Sequence, residues 1–155
     1  MGRNYIRKQI AKKGTPFAIM IIIILSVQPA WPCFDLAAKT YNVPVKILKA
    51  IAKVESSNNP IAVNNSNKNG TKDMGLMQIN SLWLKELAKY NISEKDLLDP
   101  CQNIIVGAWI LKQNLVKHGY SWKGIGSYHS ITPGLNRSYA WKIYKNIKRL
   151  RAVTQ

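Results

Sequence analysis

Glu55 closes a run in which Leu48, Ile51, Ala52 and Glu55 recur at the three- and four-residue spacing of one helix face. A carboxyl group on an apolar face is penalised when it ionises, so its pKa rises toward neutrality and it can hold a proton for delivery. The alternative is a glutamate near a helix end, hydrogen-bonded to the Asn-rich loop that follows. The other two glutamates offer less: Glu94 fits a helix start behind Ser93, and Glu86 lies among lysines on a solvated face. Asp73, just before Gly75, is the candidate for a second carboxylate. Its position also suits a turn or cap, and that is the reading we favour.

Two further stretches carry polar groups of use to a ligand, Gly75-Leu76-Met77-Gln78-Ile79-Asn80 and Gly126-Ser127-Tyr128-His129-Ser130. Gly75 permits close backbone approach, the amide of Gln78 both donates and accepts, and Tyr128 offers a ring with a polar tip. Core packing is an equally open role for Met77 and Tyr128. His118 and His129 share no ligand spacing with either cysteine, so neither a metal nor another cofactor is expected.

The elements that must position these residues are mostly helical. Pro44 suits a first helical position ahead of Leu48 and Glu55. Residues 56–72 are rich in Asn, Ser and Lys, and Asn69-Gly70 is a two-residue hairpin signal, so a small β-hairpin or ordered loop is expected there. Asn80 or Ser81 can cap a helix through Leu84 and Leu87, and Ser93 with Asp96 makes a weaker capping pair. Asp99-Pro100 opens the longest amphipathic stretch, with Ile104, Ala108, Leu111 and Leu115 on one face and Gly119 as its stop. A shorter segment from Ser121 carries Trp122, Ile125 and Tyr128. After Thr132-Pro133-Gly134 a last helix turns Ala140, Ile143, Ile147 and Leu150 inward, with Lys142, Lys145, Lys148 and Arg149 largely outward. The fold class expected is mainly α, a single helical domain with a small β element.

Length and charge bound the rest. The 155 residues leave room for one domain, and the net charge is +16. Arg3, Arg7, Lys8, Lys12 and Lys13 precede an apolar run from Phe17 to Leu25, then Ser26, Val27 and Pro29, which is the order of an export signal. The run is shorter than the ~20 residues that cross a bilayer as a helix. We therefore expect residues 1–30 to be a signal peptide and residues 31–155 to be the exported domain, periplasmic and monomeric. Removing the signal takes five bases and no acids, leaving 18 minus 7, or +11. An exported basic protein meets cell-wall carboxylates and anionic lipid before it meets nucleic acid, so no nucleic-acid partner is expected. Cys33 and Cys101 are the only two cysteines, and in an oxidising compartment they have one intrachain pairing, which we expect to form.

Taken together, Glu55-Ser56, Gly75-Leu76-Met77-Gln78-Ile79-Asn80 and Gly126-Ser127-Tyr128-His129-Ser130 resemble, in order and spacing, the signatures of the lysozyme-like lytic transglycosylases known as SLT domains. The likeness runs from about Cys33 to Leu150. It is nearest to the small single-domain subgroup that accompanies type III and type IV secretion, conjugation and pilus machines, which Asp99-Pro100-Cys101 and Gly107-Ala108-Trp109-Ile110-Leu111 also resemble. The resemblance implies an α+β lysozyme-like fold, peptidoglycan glycan strands as substrate, and components of such a machine as partners. It implies Glu55 as catalytic acid, Ser56, Met77, Gln78, Tyr128 and His129 as substrate-binding residues, and a Tyr128 hydroxyl that reaches toward the catalytic carboxyl. The family commonly has Ala-Tyr-Asn-Ala-Gly where this chain has Ser127-Tyr128-His129-Ser130-Ile131, so His129 replaces Asn. The expected reaction is cleavage between N-acetylmuramic acid and N-acetylglucosamine with a 1,6-anhydro product. A lysozyme-type hydrolase using Asp73, and a catalytically idle glycan-binding assembly factor, are the alternatives.

Overall fold

The computed structural model describes residues 31–153, with side chains from Cys33 to Arg149. The expected signal peptide at 1–30 and the inward side chain of Leu150 lie outside the described residues. Among the described residues there are six α-helices and a small sheet: α1 (Trp31–Tyr41), α2 (Val45–Ser56), α3 (Leu84–Leu87), α4 (Pro100–His118), α5 (Trp122–Gly126) and α6 (Pro133–Val153). Strands β1 (Val63–Asn64), β2 (Asp73–Met74) and β3 (Ile79–Asn80) form an antiparallel sheet in the order β1-β2-β3. The mainly α class with a small β element is therefore the one that forms.

Helix α4 is the centre, as its pattern predicts. Asp99 accepts a hydrogen bond from the Gln102 amide at 2.7 Å and Pro100 fills the first turn, which satisfies the helix start. Ile104, Ala108 and Leu111 are fully buried, and α4 packs on both α1 and α5. Helix α2 buries Leu48, Ile51 and Ala52 and packs against α6, where Tyr139 and Ile143 are buried. Pro44 takes the cap position just before α2, where its carbonyl accepts from the Ile47 amide. Helix α1 forms as well, ahead of the helices that the sequence pattern predicts, with Phe34, Ala37, Ala38 and Tyr41 at helical spacing. Cys33 in α1 and Cys101 in α4 are joined, with Cα atoms 5.3 Å apart and a sequence separation of 68. Closing a loop of that length stabilises the fold by about 4 kcal/mol in the chain-entropy model.

The Asn69-Gly70 signal does not make a two-residue hairpin. Val63 pairs with Met74 and Asn64 with Asp73, so an eight-residue loop joins β1 to β2 and Gly70 merely ends a turn opened by Asn67. The tighter connection is β2 to β3, over Gly75 to Gln78. Asn80 caps the following segment through Leu82 N–H, but that segment is a 3-10 turn leading into the single turn of α3.

The β2–β3 loop is fixed by one buried amide. Asn103 of α4, fully buried, accepts from Met77 N–H at 2.7 Å and donates to the carbonyls of Met74 at 2.9 Å and Leu97 at 2.8 Å. Gly75 has φ +72° and lies against Asn103 and the Leu97 carbonyl, where a Cβ would collide. A Cβ at Gly107 would stand 2.8–2.9 Å from the Met77 side chain, so α4 and the loop approach closely at this glycine too. Asn103→Leu keeps the volume but strands one N–H and two carbonyls out of water. We expect a loss of about 3 kcal/mol or more in urea unfolding, since each buried unsatisfied group costs ~1–3 kcal/mol.

Candidate active site

A groove of about 760 Å³ runs between the sheet and the helices, and Glu55 lines it from the last turn of α2. The carboxyl is half-buried. Tyr139 of α6 donates its hydroxyl to Glu55 Oε1 at 2.5 Å. Burial pushes the Glu55 carboxyl up from its ordinary 4.5 to about 7; the Tyr139 hydrogen bond and the Lys142 charge act downward, and the charge of Asp73 adds to the rise. A group titrating there can hold a proton at neutral pH and take one back after giving it. Tyr139 itself is held strongly in its protonated form by burial and by Glu55, so it remains a donor.

Across the groove, Asp73 sits in the central strand, which overturns the turn or cap reading. Its Oδ1 accepts from Asn80 Nδ2 at 2.7 Å, and its Oδ2 accepts from Asn67 Nδ2 at 2.8 Å and Asn64 Nδ2 at 3.2 Å. Asn64 and Asn80 are its partners in register on the two flanking strands, so the sheet exists largely to present this carboxyl among amides. Thr71 Oγ1 accepts from Asn67 and Asn80 and extends the polar floor. Trp83, edge-on to Trp109 with centroids 5.3 Å apart, supplies an aromatic wall. Amides and hydroxyls opposite an indole suit a polyhydroxylated ring with an apolar face.

The structure brings some sequence-predicted residues to this groove and not others. Gln78 lines it in a left-handed conformation at φ 48°, held by Nε2 donating to the carbonyls of Ala62 at 3.1 Å and Gly75 at 2.8 Å. Strained conformations of this kind persist where surrounding bonds enforce them. His129 lines the groove and stacks on Tyr139, with centroids 4.9 Å apart and planes 9° from parallel. Burial and the Lys142 charge lower its pKa, Asp73 opposing, so the ring is neutral at neutral pH.

Three expectations need correction. Met77 is fully buried against Gly107 and lines nothing; its contribution is a backbone carbonyl. Ser56 also stays out of the groove: its hydroxyl donates to the Leu76 carbonyl at 2.8 Å and ties the end of α2 to the β2–β3 loop. Tyr128 lines the groove, but its hydroxyl donates to the Met77 carbonyl at 2.9 Å and not to Glu55. The tyrosine on the carboxyl is Tyr139, four residues before Ile143 on the inward face of α6, a spacing that could have revealed it. Among the described residues, no group of three or more His, Cys, Asp or Glu could hold a metal ion.

The family described as Transglycosylase SLT domain matches residues 32–149. Invasion protein IagB of Salmonella typhimurium (strain LT2) is 42% identical over 144 residues, covering 89% of this chain and 89% of its own. Protein IpgF of Shigella sonnei is 34% identical over 141 residues, 88% of this chain and 92% of its own. X polypeptide of Escherichia coli (strain K12) is 38% identical over 148 residues, 88% and 86%.

Because folding raises Glu55 from 4.5 to about 7, its ionised form is the costly one. That cost is absent below about pH 4.5, grows as pH rises and is complete above about pH 7. Glu55→Gln should match the parent's stability near pH 4 and exceed it by up to about 3 kcal/mol near pH 8 in urea unfolding; equal stability at both pH values would mean the carboxyl is not buried as described. Tyr139→Phe removes a bond that favours the ionised form. The Glu55 titration, followed by NMR of its side-chain carboxyl carbon, should then move further upward.

Proposed function

The chain belongs to the Transglycosylase SLT domain family, and from that premise we propose that Glu55 is the single acid and base with which it opens glycan strands to a 1,6-anhydro end. It is a lytic transglycosylase of the IagB-like subgroup with a lysozyme-like fold, and its substrate is peptidoglycan. The observation that carries the assignment is the half-buried carboxyl of Glu55, raised to about 7, facing a polar groove and held by Tyr139.

In the proposed reaction, protonated Glu55 gives its proton to the oxygen that links N-acetylmuramic acid to N-acetylglucosamine as that bond breaks. The carboxylate so formed, with Tyr139 still donating to Oε1, then takes the proton of the muramic 6-hydroxyl as this oxygen closes on the anomeric carbon. No water is consumed, and Glu55 ends protonated for the next cycle. Tyr139 steadies the carboxylate that forms midway, and His129, stacked on its ring, limits how far the phenol can swing. Gln78 and Trp83 line the groove as sugar contacts; Ser56 and Tyr128 act through the loop they brace.

Asp73 favours a second reading within the same groove. A carboxyl opposite Glu55 is the arrangement by which retaining glycosidases form a covalent sugar intermediate that water then cleaves. Under the transglycosylase reading Asp73 instead supports the positive charge that develops at the anomeric carbon. The finer biological role we propose is local opening of the wall for a secretion, conjugation or pilus apparatus, after export to the periplasm by residues 1–30. The support is similarity to proteins named Invasion protein IagB and IpgF, together with the basic, then apolar order of the N-terminus.

Digestion of purified peptidoglycan, with the fragments weighed, tests the chemistry. Anhydro ends are lighter by one water than the reducing ends that a hydrolase leaves. We expect anhydro ends, a loss of about 100-fold or more in Glu55→Gln with the fold intact, and anhydro ends still from whatever activity Asp73→Asn retains. Mainly reducing ends, abolished by Asp73→Asn, would make the enzyme a hydrolase; more than about a tenth of the activity left in Glu55→Gln would remove Glu55 as the acid.

A further inference from the structure

The face of α6 turned away from Tyr139 is also built, and nothing in the catalytic reading uses it. Trp141 follows Tyr139 by two residues, which places it on the opposite side of the helix. It stacks on Tyr144 with centroids 5.2 Å apart, and Trp122 of α5 meets Tyr144 edge-on at 5.5 Å. Trp141 is 55% exposed and Trp122 44%. The rings border an open depression of about 750 Å³ with Arg137 in its lining, and Trp122 is also a wall of a second depression of about 350 Å³ floored by Ile47 and Leu115. Lys145 Nζ stands 5.5 Å from the Trp141 centroid and Lys148 Nζ 5.3 Å from that of Tyr144. No Asp or Glu follows Asp99 in the sequence, while residues 100–155 contain nine Lys and Arg.

Tryptophan, tyrosine and arginine in one patch are the residue types that carry binding energy at protein interfaces. Charge decides the sign of the partner: with no acid in this half of the chain, a second copy would bring like charge against like. Shape decides its class. Trp141 and Tyr144 turn a face to each other and carry the ammonium groups of Lys145 and Lys148 over their rings, so these two rings offer a sugar little flat surface. The surface is concave on both sides of Trp122, made to receive side chains, whereas a bilayer contact needs apolar groups that protrude. We propose that the Trp122, Trp141 and Tyr144 face docks an acidic protein segment, whose apolar side chains enter the two depressions and whose carboxylates meet Arg137, Lys145 and Lys148. The proposal rests on this surface alone and stands or falls separately from the assignment of Glu55.

Calorimetric titration of the purified protein with a helical peptide bearing Leu and Phe on one face and Glu on the other provides the test. We expect binding that weakens as salt is raised, and that is weaker by about tenfold or more for Trp141→Ala and for the double variant Lys145→Glu, Lys148→Glu. Release of fragments from peptidoglycan should be unchanged in both variants. No binding, equal binding of a peptide with every Glu replaced by Gln, or equal affinity of Trp141→Ala would overturn the proposal. So would loss, in the same variants, of binding to phosphatidylglycerol vesicles, of binding to isolated glycan strands, or of a concentration-dependent dimer, since the face would then belong to lipid, glycan or a second copy.

Discussion

The buried amide of Asn103 is the interaction on which the groove depends. Its oxygen and nitrogen serve three backbone groups from two segments, one N–H and two carbonyls. A polar side chain at the middle of the core is tolerated only when fully satisfied, and such a network then admits one arrangement of the chain around it. Gly75 and Gly107 are small because that arrangement presses the β2–β3 loop onto α4 at both points. Once Met77 is fixed by its N–H, its carbonyl is fixed too, and Tyr128 hangs from it. Gln78 follows in a left-handed conformation that a free loop would abandon.

Glu55 lives in the opposite condition, poorly satisfied by design. Burial opposes its ionisation, and so does its place in the last turn of α2, where the carbonyl end of the helix dipole repels negative charge. Tyr139 and Lys142 compensate only in part. A carboxyl with the backing Asn103 has would titrate too low to hold a proton at neutral pH, and one with none would never release it. The single phenol donor sets it between those limits, and the stack of His129 on that phenol adds a restraint one side chain removed from the carboxyl.

Where structure was legible in the sequence, its cause was local. Asp99, Pro100 and Gly119 bound α4 because cap and stop chemistry acts within one helical turn. Glu55 was legible for a similar reason, since three- and four-residue spacing reports a helix face. A small β element was legible but its strands and register were not, because strands of two residues carry no period and are held by Asn64, Asn67 and Asn80 converging on Asp73 from three segments. Asn69-Gly70 misled for the same reason: the amide cluster, not turn propensity, sets the loop length. Tyr128 and Tyr139 show the limit most clearly. Both are inward-facing tyrosines near one carboxyl, and which hydroxyl reaches it is decided by the Met77 carbonyl capturing the other, a fact of packing.

The same amide cluster bears on which chemistry the groove favours. A carboxylate that attacks an anomeric carbon must aim a lone pair at it, and Asp73 already accepts bonds from three amides on its two oxygens. Those donors lower its nucleophilicity while leaving its field in place, which suits stabilising charge more than forming a bond. The muramic 6-hydroxyl, by contrast, belongs to the ring under attack and competes at the high effective concentration of an intramolecular group. Glu55 can accept its proton without moving away from Tyr139. On the proposed reading, a groove that stabilises developing charge from one side and returns a base from the other needs no positioned water, which favours ring closure over hydrolysis.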